Sequence, residues 1–83
     1  MNKWINISDI VIIGKLPLNQ ISLNFAIKIK EGFNIRQLPP ITVEANGNGQ
    51  YILKDSRHRY LAFKLNGIQQ IYAKVYKLNY IRI

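Results

Sequence analysis

Leu53-Lys54-Asp55-Ser56-Arg57-His58-Arg59 stands where an extended run hands over to a run without glycine or proline, and the remaining elements can be read outward from it. The first turn of a helix has backbone N–H groups with no partner inside the helix, and the helix dipole adds partial positive charge there. An anion docks well at such a place. Acidic side chains suit a helix start, yet here Arg57, His58 and Arg59 crowd it with cationic ones. Three basic groups opposing the dipole call for an anion among them or for another purpose. The guanidinium forks of Arg57 and Arg59 match phosphate oxygens, His58 adds a titratable ring, and Asp55 or Ser56 supplies a side-chain oxygen able to cap the helix. The plainer alternative is an ordinary N-cap beside a solvated basic surface.

Upstream, Ile41-Thr42-Val43-Glu44 alternates, Asn46-Gly47-Asn48-Gly49 supplies residues that tolerate positive φ, and Gln50-Tyr51-Ile52-Leu53 is extended again, which predicts a hairpin. Downstream, Leu61, Ala62 and Leu65 form an apolar stripe that Gly67 closes, predicting a helix from Ser56 to Asn66. Ile71 to Lys77 alternates as a last strand, with Leu78 to Ile83 as a mixed tail. Toward the N-terminus, Trp4 to Ile13 reads as strand broken near Ser8-Asp9. Gly14 and Pro17 punctuate the chain, and Ile21, Phe25 and Ile29 recur at a spacing of four on one face of a helix ending before Gly32. The expected fold is α+β, a small mixed sheet packed with two main helices in the order β-α-β-β-α-β, forming a single domain over residues 1–83.

Composition bounds the function. A hydrophobic share of 48% with 19% charged residues argues for a folded chain. Twelve Lys and Arg against four Asp and Glu give a net charge of +8, which favours nucleic acid, nucleotide phosphates or an acidic protein as partner. Without cysteine there is no disulfide, thiolate metal site or thiol chemistry. No stretch approaches the roughly 20 apolar residues that cross a bilayer, and Asn6, Ser8 and Asp9 interrupt the run an export signal needs. The cytosol is the expected compartment. A lone His58 defines no metal site, and Asp9, Glu31, Glu44 and Asp55 are too few to favour two-metal chemistry. Aromatic and basic residues interleave, so Tyr60, Lys64, Arg36 and Lys54 are candidates for contact with nucleic acid, and Tyr60, Tyr76 and Tyr80 for exposed aromatics.

Ser56-Arg57-His58-Arg59-Tyr60-Leu61-Ala62 resembles the turn of the ParB/sulfiredoxin superfamily over a match spanning about Ile7 to Tyr76. ParB proteins carry Gly-Glu-Arg-Arg, a hydrophobic residue, a variable one and Ala in that frame, so Arg59 and Ala62 match. Sulfiredoxins have Gly-Cys-His-Arg, of which His58 and Arg59 remain, and Leu38-Pro39-Pro40-Ile41-Thr42-Val43 looks like their strand entry. The resemblance implies a phosphate-binding role for Ser56, Arg57, His58 and Arg59 toward ATP, ADP or CTP with magnesium, or toward nucleic acid. An enzyme of this type would be a nuclease, nucleotide hydrolase or kinase, with Asp55 and Glu31 as its acid–base or metal groups. A further alternative is a plasmid- or phage-encoded regulator that engages an acidic protein. Sulfinic-acid reduction through a thiol is excluded, and Ser56 replaces the usual glycine, where a Cβ crowds the approach of phosphate to backbone. The chain stops short of the helix-turn-helix and dimerisation parts of a ParB partition protein, so centromere recognition is not expected.

Overall fold

The computed structural model describes residues 1–16 and 18–77. Pro17, the tail from Leu78 and the candidate Tyr80 lie outside the described residues. The anticipated break in the first extended run is present: strand β1 covers Asn2–Asn6, a 3-10 turn covers Ile7–Asp9, and the short strand β2 covers Ile10–Val11. The turn lets Ile7 and Ile10 both enter the core, while the Ile7 N–H donates to the Gln69 carbonyl at 2.8 Å. Helix α1 (Gln20–Lys30), a 3-10 turn (Ile35–Gln37), strands β3 (Ile41–Ala45) and β4 (Tyr51–Asp55), helix α2 (Arg57–Leu65) and strand β5 (Gln70–Lys77) follow. The expected order β-α-β-β-α-β is therefore realised, with the first strand in two pieces.

Those pieces end on opposite edges of one five-stranded sheet, ordered β1-β5-β3-β4-β2. A three-residue turn spans the two edges only if the sheet curls. β1 and β5 are antiparallel, β5 and β3 parallel, β3 and β4 antiparallel, and β4 and β2 parallel. The hairpin between β3 and β4 forms where the two Asn-Gly pairs stand, with Gly47 at φ 89° and Gly49 at φ 88°. Ile41, Val43, Leu53, Ile71, Ala73 and Val75 project from the sheet into a core closed by Ile29 of α1 and by Tyr60, Ala62 and Phe63 of α2.

Two expectations about the helices are corrected. Ile21 is 64% exposed, and α1 buries Ser22 and Ile29 with Phe25 and Ala26 half-buried. A four-residue spacing drifts by about 40° per step around a helix of 3.6 residues per turn, so a row of three cannot all face the core centre. In α2, Tyr60 through Phe63 are all buried and Leu65 is 51% exposed. The helix is wedged between α1 and the sheet, so it has two covered sides. Tyr60, expected to be exposed and to touch nucleic acid, is 2% exposed and belongs to the core.

Candidate functional site at the β4–α2 turn

The approach to the turn is bent by a β-bulge. Val43 pairs with Leu53 and Thr42 with Asp55, leaving Lys54 as the extra residue of β4. In a regular strand consecutive side chains point to opposite faces. The bulge re-aims them, and Lys54 and Asp55 both line one cleft. Ser56 then takes the left-handed conformation at φ 73° and ψ 44°, which costs a residue with a Cβ about 1–2 kcal/mol. It is the one non-glycine residue at positive φ among the described residues.

Neither expected capping oxygen caps α2. Ser56 occupies the N-cap position without a side-chain capping bond, and the Asp55 carboxylate accepts from the Ser56 N–H at 2.8 Å. The first turn of α2 thus lacks the side-chain acceptor that most helix starts recruit. The basic residues are not a solvated fringe either. Arg57 donates through Nη2 to the Ile13 carbonyl at 2.6 Å, and Arg59 through Nη1 to the Pro39 carbonyl at 2.6 Å. Each guanidinium also keeps one buried nitrogen without a partner, Nη1 in Arg57 and Nε in Arg59. A buried donor left unmatched costs about 1–3 kcal/mol, and more when charged. Burial pushes the Arg59 pKa below its ordinary value, and the nearby Asp55 carboxylate offsets part of that. The His58 ring is oriented by a 2.7 Å hydrogen bond between Nδ1 and the hydroxyl of the fully buried Ser22 on α1.

Ser56, Arg57 and His58 join Lys54, Asp55, Lys15 and Leu16 around a cleft of about 440 Å³. Arg59 is turned toward Pro39 and does not line it. Glu31 ends α1, nine residues beyond Ser22, so helix rise sets it about 13 Å along the axis from the Ser22–His58 contact. The structure does not bring it to Asp55. Among the described residues no group of three His, Cys, Asp or Glu is placed to hold a metal ion. The four candidates for nucleic-acid contact do not form one surface: Tyr60 is buried with Lys64 over its ring, Lys54 is in the cleft and 3.9 Å from Glu44, and Arg36 lies over Trp4. A larger cleft of about 630 Å³ opens between the first 3-10 turn and the end of α2, but Lys64 is the one charged residue lining it.

Lys15 was legible only as one of many surface cations. Its place follows from topology: β2 runs parallel beside β4, so the segments after both strands emerge at the same end of the sheet, the end at which ligand crevices form beside parallel strands.

A curled mixed sheet in this order with two helices on its inner face is a ParB/sulfiredoxin-like fold. The chromosome-partitioning protein ParB from Caulobacter crescentus, C-terminally truncated and complexed with CTP-gamma-S, superposes with a TM-score of 0.73 at 19% identity over 95% of this chain and 46% of that one. Sulfiredoxin from Arabidopsis thaliana gives 0.71 at 23% identity over 94% and 86%. A free serine kinase in complex with AMP gives 0.70 at 13% identity over 89% and 30%. The chain therefore spans less than half of the ParB and kinase chains it matches. No family model matches the sequence, and no curated protein matches it significantly. Among the described residues no helix is long and apolar enough to cross a membrane.

Proposed function

We propose that this chain is a phosphate-recognising module that binds a nucleotide through the β4–α2 turn, residues 55–59. The observation that carries the reading is a helix start that no side chain caps, opening onto a cleft that Arg57 lines. A phosphate oxygen there accepts from first-turn amides and from the Arg57 guanidinium at the cleft wall. Lys15, Lys54 and His58 supply further charge or hydrogen bonding around the same cleft. The CTP-gamma-S bound to ParB and the AMP bound to the serine kinase make a nucleotide the natural ligand class.

In this reading Arg57 and His58 grip phosphate oxygens and Ser56 presents the helix-start amides. Arg59 acts from behind, tying the turn to Pro39. Asp55 orients the Ser56 amide and is the carboxylate within reach of a magnesium ion carried by ATP, ADP or CTP. Binding is favoured over phosphotransfer, nucleotide hydrolysis or DNA cleavage because Glu31 stands apart, leaving Asp55 without a second acid.

Calorimetry with ATP, ADP and CTP at low salt, with and without magnesium, tests the reading. Saturable binding by the wild type that is lost in Arg57→Ala supports it. No binding to any of the three removes it and leaves nucleic acid or an acidic protein as partner.

A further inference from the structure

Alternation along β5 sends Ile71, Ala73 and Val75 into the core and Tyr72, Lys74 and Tyr76 to the opposite face of the sheet, which neither helix covers. Trp4 is the cross-strand partner of Tyr72 on β1, and their rings meet at 5.3 Å between centroids, tilted by 47°. Trp4 is 38% and Tyr76 49% exposed. Each has a cation against it, the Arg36 guanidinium 5.7 Å from Trp4 and the Lys74 ammonium 5.5 Å from Tyr76. Thr42 and Glu44 lie in register with Lys74 and Tyr76 on neighbouring β3. Glu44 lies in register with Tyr76, and its 3.9 Å contact is to Lys54, a residue of the cleft, so Arg36 and Lys74 supply this face with cations.

We infer that this open face is a second binding surface, one for single-stranded nucleic acid. Exposed rings with cations beside them offer π-faces to bases and positive charge to the connecting phosphates. Tyr72 and Tyr76 are four residues apart, about 13 Å along the strand, so the rings form a track and not a pocket for one nucleotide. A duplex hides the faces of its bases within its own stack, which makes a single strand the occupant that uses the rings. An excess of cations on the face, within a chain of net charge +8, complements a polyanion. The surface is independent of the cleft, since Trp4, Tyr72 and Tyr76 do not line it.

Trp4 is the single tryptophan of the chain, so its emission reports on this face directly. A fluorescein-labelled oligothymidylate of about 16 nucleotides, the upper end of what one small single-strand module covers, is titrated at low salt while anisotropy and Trp4 emission are followed. Binding that quenches Trp4 is expected. It should weaken about tenfold in Tyr76→Ala, the loss of one stacked base, and be retained in Tyr76→Phe, which keeps the ring. Lys74→Ala should also weaken it and flatten its salt dependence. Circular dichroism of each variant checks that the sheet is intact. The inference is overturned if the wild type does not bind, if Tyr76→Ala and Lys74→Ala bind as well as wild type, if a duplex or poly-glutamate competes equally, or if Arg57→Ala abolishes binding that Tyr76→Ala spares.

Discussion

At Ser56 the backbone adopts a conformation that glycine takes freely and serine does not. The strain is tolerated because the Asp55 carboxylate holds the Ser56 N–H and the Ser56 carbonyl accepts from the Tyr60 N–H at 3.0 Å. Ser56→Gly should therefore stabilise the protein by about 0.5–1 kcal/mol, the αL penalty partly offset by the entropy of a more flexible unfolded chain. Thermal melts would register this as a rise of about 4–8 °C per kcal/mol, and an unchanged or lower Tm would show that the strain is relieved elsewhere. The same substitution removes the Cβ nearest the helix-start amides, so nucleotide affinity should rise in parallel. The expectation of a basic, phosphate-suited turn could be formed from Arg57, His58 and Arg59 alone. Their division of labour could not, because it depends on which carbonyls, Ile13 and Pro39, the fold brings within reach.

Among the elements, the bulge in β4 is the device that creates the cleft. Deleting Lys54 should restore a regular ladder with β3 in which Asp55 still opposes Thr42, remove one cation and the local bend from the cleft wall and weaken nucleotide binding, while hydrogen exchange still reports the hairpin as protected. Loss of hairpin protection would show that the extra residue serves pairing itself. The two helices are joined by Ser22 and His58, and Ser22→Ala should cost about 1–3 kcal/mol in urea unfolding because it strips a hydrogen-bond partner from the His58 ring. Phe63→Ala, which empties a fully covered site between the helices and the sheet, should cost about 3–5 kcal/mol. The hairpin, the strand break at Ser8-Asp9 and both helices were legible because Asn-Gly pairs, polar interruptions and apolar spacing act locally. The bulge, the burial of Tyr60 and the outward turn of Ile21 were not, since each is decided by what packs against the element and not by its own sequence.

Across the whole molecule, twelve basic residues face four acids, and the Lys54–Glu44 contact at 3.9 Å is the one ion pair among the described residues. Most cations therefore repel one another without local relief. A domain of this length has a radius of gyration of roughly 12 Å. At about 10 mM salt the Debye length is roughly 30 Å and every cation feels every other, whereas at about 150 mM it is roughly 8 Å and only neighbours interact. Sodium chloride over that range should raise Tm, because repulsion in the compact state is relieved more than in the expanded unfolded chain. Over the same range affinity for an anionic ligand should fall, because those cations attract it through the field being screened. Opposite responses to one variable would tie stability and binding to the same set of charges. A Tm that fell along with affinity would mean instead that attractive pairs dominate the folded state, and a Tm that rose without loss of affinity would locate ligand binding away from the basic surface.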